Sequence, residues 1–310
     1  MVRPRHVAEY AALRGALAAM ALLPYGAALW WGEAAARILF VLGWRRAEAV
    51  RRIRQVLGAQ AEAERIAAEA LRNFLWSLVD AVYAPRWSAQ WTRQHVQVEG
   101  EDHLREALAE GHGAILAVPH LGSWEMAGML GPLIGYLLVS LVARQRNPLV
   151  DRYFVRWRGR RGVEVVPRGG MAVRRILREL AQGAVLAMPV DLRSPRAGVC
   201  VQFLGHAANL AEGLAFFAAA GKAPVLPCAV WRVARMDHVV RLWPPIHAAE
   251  LRTRKDGAQW LLQSVLDALT PVILERPEQY FWFNRRWVLE PLEAEAGPAQ
   301  SLSGTSAHAD

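Results

Sequence analysis

His120 stands at the end of an apolar run, Ala114-Ile115-Leu116-Ala117-Val118-Pro119, and Glu125 follows after Leu121-Gly122-Ser123-Trp124. A run of this kind closed by proline reads as a buried strand. A strand end is a rigid mount at which α/β proteins present side chains to a crevice. A histidine with a carboxylate in reach makes a general base, because the acid fixes the ring tautomer and supports the imidazolium. Of the nine histidines only His120 has an acid at that offset. The chemistry indicated is removal of a proton from a hydroxyl, with His120 and Glu125 as the candidate catalytic pair. On spacing alone, a histidine packed at a strand end reads equally well. The small residues Gly122 and Ser123 favour the functional reading, since they let a substrate approach the backbone closely. A serine nucleophile is disfavoured, because no Gly-x-Ser-x-Gly elbow occurs in the chain. Cys200 and Cys228 have no zinc spacing, so neither metal nor cofactor is expected.

The elements that must position this pair alternate along the chain. A helix over Glu101–Glu110 precedes the strand of Ala114–Val118, and a helix from Trp124 to Leu133 leads to a strand over Leu137–Ala143. A helical stretch from Leu149, a short strand at Val163–Val166 and a helix over Met171–Ala181 follow. Strands from Ala184 and Val199, a helix over Leu210–Ala220, strands from Val225 and Val239, and a helix over Ala258–Leu274 complete the set. This alternation predicts an α/β fold with a mixed sheet flanked by helices. Arg144 closes the second of these strands, where its fork could bind a phosphate or pair with Asp151. Gly169-Gly170 could present backbone N–H groups to an anion at a helix start, or form a plain turn. Asp191 lies just past a buried strand, placed to orient Arg144 or the acceptor, or to cap a loop. Gly205 is expected in a tight turn near the floor of the site.

Composition sets the surroundings. The 310 residues are 54% hydrophobic, with a net charge of +9 carried almost wholly by arginine, Lys222 and Lys255 being the only lysines. Mean hydropathy is +0.10, high for a soluble enzyme and low for a polytopic membrane protein. The arginines suit anionic headgroups and phosphates. A nucleic-acid partner is disfavoured, since neither RNA-binding aromatic motifs nor zinc spacings are present. The apolar stretch from Gly15 to Leu42, with a charge-free part to Gly32, is about long enough to span a bilayer, although Pro24 and Gly26 interrupt it. The heavier basic cluster, Arg45 to Arg54, lies on its C-terminal side and predicts a catalytic domain in the cytoplasm. The expected organisation is a membrane anchor over 1–45, a catalytic domain over 46–290 and a disordered tail over 291–310, on the cytoplasmic face of the inner membrane.

His120-Leu121-Gly122-Ser123-Trp124-Glu125 resembles the His-x4-acid block of the bacterial lipid A biosynthesis (lauroyl/myristoyl) acyltransferases, within the wider glycerolipid-type acyltransferases. Further blocks are similar in the same order. These are Arg144-Gln145-Arg146-Asn147-Pro148 with Asp151-Arg152, Val165 to Gly170, Pro189-Val190-Asp191 with Phe203-Leu204-Gly205, and Pro277 to Trp282 with Arg285-Arg286-Trp287. Where the family often has Asp-Gln-Asp, this chain has Val190-Asp191-Leu192-Arg193. The resemblance implies a glycerolipid-acyltransferase-like fold and a membrane-bound O-acyltransferase. The acyl group would pass from an acyl-carrier-protein thioester to a hydroxyl of a lipid A precursor, by direct attack. It puts Arg144, Asp191, Arg193 and Gly205 among the substrate-binding residues. Alternatives are another acceptor (lysophospholipid, phosphoinositide mannoside, aminolipid) or a non-catalytic protein binding anionic lipid.

Overall fold

The computed structural model describes residues 2–124, 126, 135–142, 145–159, 162–167, 169, 171–195 and 198–289. Four helices come first: α1 (Pro4–Ala21), α2 (Tyr25–Val41), α3 (Arg46–Leu57) and α4 (Ala63–Tyr83). After α5 (Ala89–His95), β1 (Val96–Glu99) and α6 (Glu101–Ala109), the chain enters β2 (Ala114–Val118) and β3 (Leu138–Val142). Next come α7 (Pro148–Gly159), β4 (Val163–Pro167), α8 (Ala172–Ala181) and β5 (Val185–Pro189). A hairpin of β6 (Val199–Phe203) and β7 (His206–Leu210) leads to α9 (Gly213–Gly221). The chain then forms β8 (Val225–Arg232), β9 (His238–Leu242), α10 (Ala248–Thr253) and α11 (Gly257–Glu275).

The main sheet has the order β1-β9-β8-β2-β5-β3-β4. β8, β2, β5, β3 and β4 run parallel, while β9 is antiparallel to β8 and β1 runs with β9. β2 is central and buried on both faces, as a parallel strand between helical layers must be. Its alternate residues feed two cores. Ile115 and Ala117 face the layer that holds Leu71, Ile176, Leu214 and Leu266, whereas Leu116 and Val118 face Leu104, Ala107 and Met126.

The mixed sheet flanked by helices is as expected, but the membrane-anchor helix is not. Leu22-Leu23-Pro24 divides the apolar stretch into α1 and α2, because proline cannot continue the helix before it. Among the described residues no helix is long and apolar enough to cross a membrane. Half of α2 is also committed to protein contacts. Ala28, Leu29, Gly32 and Ala36 are buried, and Gly32 brings the helix so near α4 that a Cβ there would lie 3.3 Å from Val79. The Trp76 indole donates to the Leu29 carbonyl at 2.8 Å, and the Tyr83 hydroxyl lies 2.6 Å from the Met20 and Leu23 carbonyl oxygens. The basic cluster is split as well, since Arg52 turns inward and is 2% exposed. Residues 210–220, expected as one helix, are the end of β7 followed by α9. Cys228 is buried, whereas Cys200 is exposed on the hairpin. The expected helix over Trp124–Leu133 and the tail over 291–310 lie largely or wholly outside the described residues.

A buried ion network fastens the helices to the sheet. The Asp80 carboxylate on α4 accepts from Arg232 of β8 at 2.5 Å and from the Tyr25 hydroxyl of α2 at 2.6 Å, and His238 Nε2 lies 3.3 Å away. Burial pushes the Asp80 carboxyl upward, but the hydrogen bond from His238 and the Arg232 charge outweigh it and hold it at about 2. Its stabilising contribution is therefore full above the ordinary carboxylate range and is lost as pH falls towards 2. Arg232→Met leaves that carboxylate buried without its cation and is expected to cost about 3–5 kcal/mol in urea unfolding. The deficit relative to the parent should shrink as pH falls, because protonation removes the charge that the lost cation leaves buried.

Candidate active site

The central geometry follows from the register of two neighbouring strands. Val118 of β2 pairs with Pro189 of β5, and each strand runs two residues further before delivering a polar side chain. Val190 N–H still donates to the Val118 carbonyl at 3.2 Å, so the match persists past the strand ends. His120 and Asp191 consequently emerge side by side at the C-terminal edge of the sheet, the usual place for chemistry in parallel sheets. One Asp191 oxygen lies 2.6 Å from His120 Nδ1, and the other accepts the His120 backbone N–H at 2.8 Å.

The Tyr280 phenol also faces Asp191 and favours its ionised form. Asp191 is 3% exposed. Burial pushes its carboxyl up, yet the charge of His120, the hydrogen bonds from His120 and the Tyr280 phenol bring it below the usual carboxylate range. The same burial, with Asp191 beside it, pushes the Tyr280 phenol well up, so Tyr280 is a neutral phenol and not a phenolate. An ionised Asp191 accepts only, which places the proton of a neutral His120 on Nδ1 and makes Nε2 the basic nitrogen.

Tyr280 reaches this position because the C-terminal segment lies along the sheet edge. Phe281 N–H donates to the His120 carbonyl at 2.9 Å, and Gly122 N–H donates to the Gln279 carbonyl at 2.9 Å. The Gln279 side chain clips onto β8, accepting from the Arg232 N–H and donating to its carbonyl, both at 2.8 Å. Arg52 of α3 holds the far end, donating to the carbonyls of Trp282 at 2.8 Å and Asn284 at 2.7 Å, 5.2 Å from the Trp287 ring centre. Gly122 has a structural reason beyond openness to substrate. Its φ is +53°, and a Cβ would sit 2.4 Å from the Val230 carbonyl oxygen.

Aromatic rings wall the histidine. Trp124 packs edge-on at 5.2 Å and Phe281 lies at 6.3 Å, with Phe74 of α4 tilted against Phe281 at 4.5 Å. Beyond Asp191, a cavity of ≈ 200 Å³ opens among Leu141, Met188, Pro189, Leu210, Leu214 and Phe217. Val190 and Leu192, the neighbours of Asp191 in the chain, line it as well.

The sequence candidates therefore separate. His120 and Asp191 come together, Asp191 hydrogen-bonding to both the ring and the backbone N–H of the histidine. Glu125, Arg144 and Gly170 lie outside the described residues. Arg193 forms a backbone bridge to Leu210, and its carbonyl accepts from Arg286. Gly205 makes the two-residue turn of the β6–β7 hairpin, with φ of +51° at Leu204 and +79° at Gly205. The adjoining His206 ring contacts the Gln55 carbonyl at 2.9 Å, which sets this turn against α3. In the last of the similar blocks Trp287 is 1% exposed in the core, whereas Arg285 lies on the surface. Tyr280 and Phe74 carried no site assignment in the sequence. A signal for the dyad was present in the paired runs Gly113-Ala114-Ile115-Leu116-Ala117 and Gly183-Ala184-Val185-Leu186-Ala187, two alike strands each closed by a proline.

The chain is similar to the phosphatidylinositol mannoside acyltransferase of Mycobacterium tuberculosis (strain CDC 1551 / Oshkosh), at 27% identity over 66% of this chain and 64% of that protein. It thus spans just under two thirds of that relative's length. It is also similar to the lipid A biosynthesis acyltransferase of Haemophilus influenzae, at 25% identity over 62% of this chain and 60% of that protein. With the lipid A biosynthesis palmitoleoyltransferase of Escherichia coli (strain K12) it shares 23% identity over 74% of each chain. The family model for bacterial lipid A biosynthesis acyltransferases matches residues 3–288, and the chain belongs to that family.

Proposed function

We propose that this protein transfers a fatty acyl group from an acyl-carrier-protein thioester to a hydroxyl of a lipid A precursor. The observation that carries the reading is the His120–Asp191 pair held by strand register at the C-terminal edge of the sheet. His120 Nε2 takes the proton of the acceptor hydroxyl as its oxygen attacks the thioester carbonyl. Asp191 holds the ring and stabilises the imidazolium, and the proton then goes to the departing thiolate. No covalent enzyme intermediate is required. The rings of Trp124, Phe281 and Phe74 keep water from the thioester, and the cavity beside Asp191 offers an apolar berth for the acyl chain. The greater identity to the mycobacterial proteins supports a second reading, in which the acceptor is a phosphatidylinositol mannoside.

The inner membrane's cytoplasmic face remains the proposed location, with α2 lying in the interface instead of crossing it. Trp30, Trp31, Ile38, Val41 and Leu42 are exposed, forming an apolar outer face. Arg54 accompanies it with charge suited to anionic headgroups, whereas Arg37 and Arg46 are paired with Glu33 and Glu64.

With labelled acyl-carrier-protein thioester and a panel of lipid A precursors, phosphatidylinositol mannosides and lysophospholipids, transfer to one acceptor is expected. His120→Ala should lower kcat by about 10²–10⁴, and Asp191→Asn by about 10³–10⁴ with near-parental stability, since the amide no longer enforces the tautomer. A greater loss in Glu125→Gln than in Asp191→Asn would reassign the partner of His120. Transfer unaffected by His120→Ala would sink the mechanism. In vesicle flotation, Trp30→Ser/Trp31→Ser should reduce recovery with anionic liposomes, and unchanged recovery would remove α2 from the membrane contact.

A further inference from the structure

A second cleft, outside the His120 site, lies between α1 and α7. It measures ≈ 280 Å³ and is lined by Tyr10 and Arg14 of α1 and by Leu149, Arg152, Tyr153, Arg156 and Trp157 of α7. The α7 residues follow helical spacing, so this face of the helix is, apart from Leu149 in the first turn, arginine and aromatic where an aliphatic stripe would be ordinary. Arg14 stacks over the Tyr153 ring at 5.2 Å, and Tyr10 meets Tyr153 edge-on at 6.3 Å.

The charge in this cleft is unbalanced. Among the described residues Arg14, Arg152 and Arg156 form no ion pair, whereas surface arginines elsewhere do, as in Arg37–Glu33, Arg46–Glu64, Arg65–Glu69 and Arg105–Glu101. The single acid of each helix is directed to neutral amides. Glu9 accepts from Asn147 at 2.8 Å and Asp151 accepts the Gln145 N–H at 2.8 Å. Arg152 and Arg156 are one turn apart, an arrangement that is unfavourable without a counter-charge. Two or three guanidinium forks beside aromatic rings suit a phosphate ester on a ring-bearing group. The volume lies just below the usual range for ligand pockets and leaves room for a headgroup, not for acyl chains.

Topology links the cleft to the chemistry. α7 is the helix that follows β3, and its first turn, with Leu149, lies nearest in the chain to the C-terminal edge of the sheet where His120 and Asp191 emerge. We propose that this cleft binds the phosphorylated sugar headgroup of the acceptor glycolipid, anchoring it while another of its hydroxyls reaches His120. The proposal rests on the acyl-transfer reading for the acceptor's role, but not for the cleft's ligand chemistry.

Calorimetric titration of the full chain with glucosamine 1-phosphate, myo-inositol 1-phosphate, their unphosphorylated parents and inorganic phosphate tests it directly. Saturable binding of a sugar phosphate is expected, with no binding of the unphosphorylated parents and weaker binding of inorganic phosphate. Arg152→Ala/Arg156→Ala should weaken that binding on the order of tenfold or more, while His120→Ala should bind as the parent does. In acyl transfer, the double variant should raise the acceptor KM by a similar factor and leave the donor KM unchanged. Parental affinity in the double variant, or no saturable binding by the folded parent, would overturn the proposal. Inorganic phosphate binding as tightly as the ester would make this a free-phosphate site, and a raised donor KM would give the cleft to the acidic carrier protein. Either result also rejects the headgroup assignment. Retained activity in His120→Ala, with ester binding lost only in the double variant, would remove the proposed base and leave the cleft standing.

Discussion

The pairing of β2 with β5 is the constraint on which the site depends. A slip of one residue would turn every side chain of the moving strand to the opposite face and bring Val190 or Leu192, not Asp191, beside His120. Such a slip is strongly opposed, because the alternate residues of β2 fill two separate cores. The cost of placing a carboxylate in this buried setting is met by two hydrogen bonds from His120, one backbone and one imidazole, and by the neighbouring Tyr280 phenol. Core packing and site electrostatics therefore enforce the same register, and neither can change without the other.

The dyad is held from outside the sheet by the segment after α11. Tyr280 reaches Asp191, Gln279 clips to β8, and Arg52 of α3 binds the carbonyls on the far side. Residues some 230 positions apart thus cooperate to fix one phenol. This explains why the N-terminal helices pack so closely on the rest. α3 carries Arg52, α4 carries Phe74 and Asp80, and α2 is tied to Asp80 through Tyr25. Docking these helices builds the wall of the site, so they belong to it physically.

Local patterns made much of this readable, and long-range pairing accounts for what was not. The apolar run before His120 and the run before Asp191 each announced a buried strand with a polar terminus. Nothing local said that these two strands, separated by β3 and β4 in the chain, lie side by side. Asp191 is therefore legible as a site residue from its strand end alone, while its contact with His120 follows only from the pairing of the two strands. The anchor was misread for a related reason. Counting apolar residues from Gly15 to Gly32 treats them as facing lipid, but Pro24 breaks the helix and Ala28, Leu29 and Gly32 face α4. Likewise, nothing local marks Trp287, beside two arginines, as a core residue, yet its indole is packed within the core near Arg52.

The arginine excess has more than one physical meaning, which a net charge conceals. Arg52 uses its planar fork to reach two carbonyls while lying over an indole, and Arg232 binds Asp80 with its guanidinium 5.2 Å from the Trp76 ring. Arg241 sits 5.1 Å from Trp231 and 5.7 Å from Trp243. A lysine ammonium could not make these paired and stacked contacts, so arginine in these places follows from geometry. These side chains are spent inside the fold or against its tryptophans. The charge that an anionic partner would meet is concentrated on the outer faces of α1, α3 and α7, where guanidinium groups stand next to exposed aromatic or aliphatic side chains. Sorting arginines by what they touch, and not by their number, separates those that hold the site together from those available to bind.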